Sequence, residues 1–525
     1  MKLKPAGSFK ILALVLVFIL LLSISISIVI PDIRFLIRAS LLPAKYKNLS
    51  VWAQEIREHP FSPTTTKLTT DDIADLEVEI KKLATSCKNT WFIKHYLIRL
   101  HEALSCESLE KLSAYFVHAK PFLESHLSTP HTYLVLFQNS EELRASGGFM
   151  GSFARLTVSG NGIEQLEIQD IYEPDGQFTG YIPAPPGVFE YLSSGNGLRL
   201  PDANWAADFP SAAQTILAYF SFGKQSSVDG LIAINSSLIE KILASTGDIY
   251  LPDYQTNISA TTFTTLARSN RDEFFPGSKQ KQHFLTSFMT QLKLRLSELS
   301  SSQQQELLTL LLKSIQTKDT LFYSTDPDLQ SLLQSSNATG SVSYPQSNPN
   351  SYLYLLESNV GINKANKQVE RQITLELDDY QSNITLHFEN KNPTQPPTDS
   401  NDDNLNYANY QRVLVPASWQ LLEITINGQK IPVETIDDNI ITTKSQDQFR
   451  QVGFLIQIQA QTKSSATITF SKLATDIAAS KTSIFLQKQP GQKATPYTIT
   501  WRGISQTLIL DQDTTVTLQA NETQH

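Results

Sequence analysis

Two apolar periods share the stretch from residue 129 to 335. HTYLVLF (131–137), SFARLTV (152–158), EQLEIQDIY (164–172) and DGLIAI (229–234) are short apolar or alternating runs that predict strands. FPSAAQTILAYF (209–220) places Pro210 in the first turn of a predicted helix. NSSLIEKILASTG (235–247) predicts another, with Asn235 as its N-cap and Gly247 just past its end. ATTFTTLARSN (260–270) and KQHFLTSFMTQLKLRLSEL (281–299) are also helical in pattern, the second with Phe284, Phe288, Leu292 and Leu296 on one face. Strands and helices in this order predict an α/β sandwich around a mixed sheet.

The pattern differs on either side. Between 41 and 128 it is helical: TTDDIADLEVEIKKLATS (69–86) opens on a helix-start signature, and ESLEKLSAYFVHAKPFLESHL (107–127) repeats apolar residues at helical spacing. After a polar linker (336–355), QVERQITLEL (368–377), SNITLHFEN (382–390), YQRVLVP (410–416) and SATITFSKL (465–473) alternate as strands. Asn427-Gly428 between two such runs is the strongest short hairpin signal. A β-sandwich of immunoglobulin type is the economical reading of 356–525, with KNPTQPPTDSNDDNLN (391–406) as an exposed loop.

Residues 11–30, ILALVLVFILLLSISISIVI, carry no charge and are long enough as a helix to cross about 30 Å of hydrocarbon. A retained membrane anchor is the expectation; the competing reading, a cleaved signal peptide, has a shorter apolar region and an A-x-A-like cleavage site that is not found here. Lys2, Lys4 and Lys10 favour residues 1–10 as a cytoplasmic tail, with the bulk of the chain outside, although Arg34, Arg38, Lys45 and Lys47 weaken the contrast. The fold class is then α+β and multidomain: membrane helix, helical stalk, α/β domain and C-terminal sandwich. At 525 residues the chain is long enough for about three folded units.

The net charge of -8 argues against nucleic acid as a partner, since a phosphate-backbone binder needs a basic face. Cys87 and Cys106 fit a disulfide or two buried thiols equally. No P-loop, dinucleotide fingerprint, nucleophile elbow or zinc spacing occurs.

Four clusters are candidate sites. FQNSEELRASGGFMGS (137–152) joins two strands through Glu142, Arg144, Gly147, Gly148 and Gly151. An arginine fork beside close-approaching backbone suits an anion, and the same residues fit a glycine-rich hairpin loop with solvated charges. RLPDANWAADFPSAAQ (199–214) holds Asp202, Asn204, Trp205 and Asp208; Asp208 reads as a helix cap and Trp205 as core, which leaves Asp202 and Asn204 without a structural duty. LARSNRDEFF (266–275) brings Arg268 and Arg271, which the helix dipole also explains. IQDIYEPDGQF (168–178) offers Asp170, Glu173 and Asp175 to a divalent cation or to a turn.

NSEELRASGGFMGS, PDANWAADFPSAAQ, VDGLIAINSSLIEKILASTGDI, ESNVGINKAN (357–366) and QKQPG (487–491) together resemble a bacterial, typically membrane-anchored family, domain of unknown function 4012. More distantly, the order of an arginine after a strand, an Asn/Asp segment before a helix and LARSNRD is similar to the LytR-CpsA-Psr family. That resemblance implies an extracytoplasmic transferase that moves glycopolymer from a polyprenyl pyrophosphate to the cell wall, with arginines on the diphosphate and acidic residues on a metal such as Mg²⁺. It would assign catalysis to Arg144, Arg268 and Arg271, substrate contacts to Glu142, Gly147, Gly148, Asn204 and Trp205, and metal to Asp202 and Asp170. Two departures stand out: SKQKQ (278–282), with Lys279 and Lys281, replaces an R-x-x-R-Q-Q-like run, and Ala145-Ser146-Gly147 stands where an aspartate follows the first arginine. The alternative expectation is a non-catalytic envelope scaffold or adhesion protein.

Overall fold

The computed structural model describes residues 128–519 except 160–161, 223–226, 270–278, 346–348, 350, 396–403 and 473–479, with scattered residues between 69 and 127. The cytoplasmic tail, the apolar 11–30 stretch, both cysteines and most of the 41–128 helical region lie outside the described residues. Among the described residues no helix is long and apolar enough to cross a membrane.

β1 (His131–Asn139), β2 (Phe149–Ser159), β3 (Gly162–Asp170), β4 (Gly230–Asn235) and β7 (Thr320–Ser324) form one mixed sheet in the order β3-β2-β1-β4-β7. Only the central pair β1 and β4 is parallel. Its crossover runs through two short helices, α1 (Tyr172–Gln177) and α2 (Val188–Tyr191), a 3₁₀ turn at Leu200–Trp205 and the long α3 (Phe209–Phe222). Pleating sends alternate β1 residues to opposite faces. Leu134 and Leu136 meet Phe209, Ala212, Ala213 and Ile216 of α3. Val135 meets the other layer, where α4 (Ser236–Thr246), α5 (Phe263–Ser269), α6 (Gln280–Ser297) and α7 (Ser301–Gln316) pack through Leu238, Leu243, Phe263, Phe284, Phe288 and Leu307. Helices on both faces bury both sides of the central strands β1 and β4, the expected three-layer α/β arrangement, while much of the edge strand β3 is exposed. Helix α7 and strand β7 had not been read from the chain.

After α8 (Pro327–Ser335) the chain does not leave the body as an exposed linker. Ala338, Thr339 and Val342 are buried, and the Val342 amide donates to Asp208 Oδ1 at 3.0 Å. β8 (Ser351–Asn359) follows at once. It sits in a six-stranded sheet whose order is β14 (Asp437–Thr442), β15 (Gln448–Ile458), β11 (Tyr407–Pro416), β8, β17 (Lys481–Gln487) and β20 (Thr514–Gln519), stacked on a seven-stranded one in the order β13 (Gln429–Lys430), β12 (Gln420–Ile426), β16 (Lys463–Ser471), β10 (Gln381–Asn390), β9 (Val369–Leu377), β18 (Thr495–Trp501) and β19 (Ile504–Leu510). The result is a two-sheet sandwich, of more strands than the seven to nine that an immunoglobulin domain carries. Ile373, Leu375, Ile384, Leu386, Val413, Phe454 and Ile456 fill the space between its sheets. Asn427 and Gly428 both have positive φ, 50° and 79°, and close the β12–β13 hairpin as the dipeptide predicts.

β8 reads SYLYLLESN, and all nine residues are buried. A strand with one wet face would alternate; this one has two dry faces. Leu353 and Leu355 enter the sandwich core, while Tyr352, Tyr354 and Leu356 pack outward on Ala145 and Ala207 of the α/β domain. The two domains therefore share a continuous apolar seam.

Candidate functional site

β1 ends at Asn139, and the opening motif then turns inside the protein instead of over its surface. Arg144 is 1% exposed and lies at the seam. Its Nε donates to Asp202 Oδ1 at 2.9 Å and Nη2 to Glu142 Oε1 at 3.3 Å. Nη1 donates to the carbonyls of Leu143, at 3.1 Å, and of Asn359 on β8, at 2.7 Å. Burial works against its charge, yet Asp202 and Glu142 together outweigh that penalty and its pKa is raised. Burial likewise raises the Glu142 carboxyl, and Arg144 and Lys364 only partly pull it back. A guanidinium so engaged belongs to the architecture. An incoming diphosphate would have to displace Asp202 or Glu142 to reach it.

The glycines serve close approach rather than a ligand. Gly147 has φ 137°, and a Cβ there would fall 1.9 Å from Asn235 Oδ1. A Cβ at Gly491 would stand 2.1 Å from the Gly147 carbonyl oxygen. That contact seats the QKQPG loop of the sandwich on the SGG turn. Gln489 Nε2 then donates to the carbonyls of Arg144, at 3.1 Å, and of Glu357, at 2.7 Å. From the 357–366 segment, the Asn359 amide donates to the Leu143 carbonyl at 2.9 Å and Asn366 Nδ2 to that of Ser140 at 2.6 Å. Beside them Arg371 holds Glu357 through Nε at 2.6 Å and Nη2 at 2.8 Å.

The structure thus gathers Glu142, Arg144, Gly147, Gly148, Asp202 and Asn204. Asn204 Nδ2 donates to the Gly148 carbonyl at 2.8 Å. Trp205 is core against Tyr410, and Asp208 caps α3 through the Ser211 amide at 3.1 Å, as read. Asp170 accepts from the Tyr172 amide at 2.9 Å, and Asp175 binds the Arg199 guanidinium. Only Asp170 has a turn-forming role; Asp175, in α1, ties that helix to the segment before the 3₁₀ turn, and among the described residues no three His, Cys, Asp or Glu side chains are grouped to hold a metal. The Arg268 side chain and all of Arg271 lie outside the described residues.

A cavity of about 140 Å³ lies beside this node, at the carboxyl ends of the parallel strands β1 and β4. Ile239, Phe263, Leu285, Phe288 and Met289 make its apolar wall; Glu142, Ser152, Lys281 and Lys364 add polar groups. The Lys281 amine reaches the Gly151 backbone so closely that a Cβ there would lie 2.4 Å away. Crevices at the carboxyl ends of parallel strands and at domain junctions are where small ligands usually bind. In the sequence Lys281 stands out only as a charge within SKQKQ and Lys364 not at all, although INKAN (362–366) belongs to a segment that resembles the family; nothing in the local pattern says that the sandwich supplies a side chain to this crevice.

Residues 128–271 match the family described as "Protein of unknown function (DUF4012)". That segment is a DUF4012 domain. No curated protein matches the chain. Among solved structures, the chain is similar to a Legionella pneumophila protein, lpg2210, at 9% identity and TM-score 0.19, over 28% of this chain and 54% of that one. The chain is similar also to Lin1025 from Listeria innocua, at 13% identity and TM-score 0.21, over 41% of this chain and 79% of that one. The chain therefore spans about half the length of the Legionella protein. The β1–β2 turn with Arg144 lies inside the DUF4012 segment, and the loops that clamp it come from beyond residue 271.

Two outcomes follow from this geometry. Arg144→Met, which leaves Glu142 and Asp202 facing each other in the seam, is expected to lower stability by about 3–5 kcal/mol in urea unfolding of the full chain, and Glu142→Gln with Asp202→Asn to restore much of it. Little loss in the single variant would contradict the structural role. The second concerns Lys488, 4% exposed, whose Nζ donates to the carbonyls of Gln489 and Gln492, both at 2.9 Å. Burial pushes its pKa down to about 8. Between about pH 8 and 10.5 the unfolded chain holds a proton that the folded one releases, so this group makes stability rise with pH across that window. Wild type should gain up to about 3 kcal/mol on Lys488→Met over that range; parallel pH profiles would exclude it.

Proposed function

We propose that this is a membrane-anchored, extracytoplasmic cell-envelope protein whose α/β domain binds a polyprenyl-pyrophosphate-linked glycan. The observation that carries the reading is the crevice at the ends of β1 and β4, apolar inside and bearing Lys281 and Lys364. An isoprenoid phosphate has that same division, a greasy chain joined to a concentrated negative charge. A volume of about 140 Å³ suits roughly one isoprene unit, being close to cavities that take benzene. The remaining chain then runs outward from the mouth, and an anchor at residues 11–30 would keep the domain beside the bilayer that carries such a lipid. The similarity to LytR-CpsA-Psr proteins points to the same ligand class, with transfer to a cell-wall polymer as the finer form of this proposal. Arg268 and Arg271, which the LytR-CpsA-Psr resemblance assigns to the diphosphate, keep that role in the proposal, with Mg²⁺ as a further counter-charge.

A second reading, an envelope scaffold, is favoured by the engagement of Arg144 inside the domain seam. Binding separates the two. Full-length protein in detergent is expected to bind polyprenyl pyrophosphate, with inorganic pyrophosphate competing weakly. Lys281→Ala or Lys364→Ala should weaken binding about tenfold or more, since a charged hydrogen bond contributes about 1.5–3 kcal/mol. Ile239→Trp, which fills the crevice, should abolish it. No binding, or binding indifferent to all three substitutions, would leave the scaffold.

A further inference from the structure

A second arginine at the seam is placed very differently from Arg144. Arg412 sits on β11 (Tyr407–Pro416), between Tyr410 and Leu414, two residues that face the α/β domain. It is 3% exposed. Among the described residues no carboxylate pairs with it. Its one hydrogen bond there is from Nη2 to Ser358 Oγ, at a long 3.4 Å, and Nε, itself buried, finds no acceptor in the protein. The Trp205 ring covers the guanidinium carbon at 4.7 Å. Tyr354 and Tyr410 are the other polar neighbours, and the Tyr410 hydroxyl already donates to Asp437. Burial pushes the Arg412 pKa down to about 10, the direction expected when no anion offsets the charge.

A guanidinium has five N–H donors and never gives up its charge at ordinary pH. A ring face and a long bond to a hydroxyl leave the buried Nε without an acceptor, whereas Arg144 meets its own demand with two carboxylates and two carbonyls. Buried charges without partners are retained only when something compensates them. We infer that Arg412 is the centre of a buried anion site in the domain seam, with Ser358 as a second donor, and that its ligand is a small inorganic anion of the chloride type. Near-complete burial, with the Trp205 ring against the guanidinium, favours a compact monovalent ion over phosphate or an organic acid. The site stands apart from the lysines of the crevice and does not depend on the proposal for them. Its effect is to hold the sandwich on the α/β domain, because Arg412 and Ser358 come from β11 and β8 while Trp205 comes from the 3₁₀ turn before α3.

The test is thermal unfolding of the full chain in detergent, with sodium chloride exchanged for sodium gluconate at constant ionic strength. An ion that binds only the folded form raises the midpoint in a concentration-dependent way. Wild type should gain several degrees with chloride and with bromide, and Arg412→Met, which removes the charge and keeps the apolar bulk, should show no such gain. A wild type indifferent to chloride, or an Arg412→Met variant with the same response, overturns the proposal. If that variant does not fold, bromide-soaked crystals of wild type decide: an anomalous peak within contact distance of the Arg412 guanidinium supports the site, and its absence rejects it.

Discussion

The β1–β2 turn and the crevice beside it are organised by the burial of one guanidinium. Arg144 has no water to turn to, so its donors must be met by protein, and the groups that meet them come from the β1–β2 turn, from the 3₁₀ turn that carries Asp202, and from Asn359 at the end of β8. Removing any of these would leave a charge or a donor stranded in the seam. The α/β domain and the sandwich are thereby fixed to each other by hydrogen bonds as well as by the apolar contacts of Ala145 and Ala207 with Tyr352 and Tyr354.

That constraint has a consequence for the crevice. Glu142 is a partner of Arg144 and also lines the cavity, while Lys364 reaches it from the sandwich. The crevice thus has its shape only when the two domains are docked. Its lysines are held by rigid elements, α6 for Lys281 and the turn after β8 for Lys364. Such support is what a binding site needs if its charges are to stay placed without a ligand.

Much of the fold was legible because local signals agreed with tertiary demands. β1, β2, β4, α3 and α4 follow their apolar periods, Asp208 caps α3 and Gly247 ends α4, although Asn235 at the head of α4 turns its side chain to the Lys318 carbonyl instead of capping, and Asn427-Gly428 closes a hairpin. The site was legible only as a set of residues that belong together. Arg144, Asp202, Asn204 and the glycines do converge, but as a clamp, because sequence does not show whether an arginine faces solvent or a second domain. The same blindness explains the linker: SSNATGSVSYPQ is polar and punctuated by glycine and proline, yet Ala338, Thr339 and Val342 are buried by partners such as Asp208 that lie far away in the chain. The run YLYLL (352–356) within SYLYLLESN is the signal for this, since apolar residues that do not alternate with polar ones imply cover on both faces of a strand.

The measurement that bears most directly on this account is differential scanning calorimetry of the full chain. If the Arg144 node joins the α/β domain and the sandwich into one body, a single transition should appear, with calorimetric and van't Hoff enthalpies in agreement. Two resolved transitions, one for each domain, would contradict it and return the seam to a loose contact between independent units.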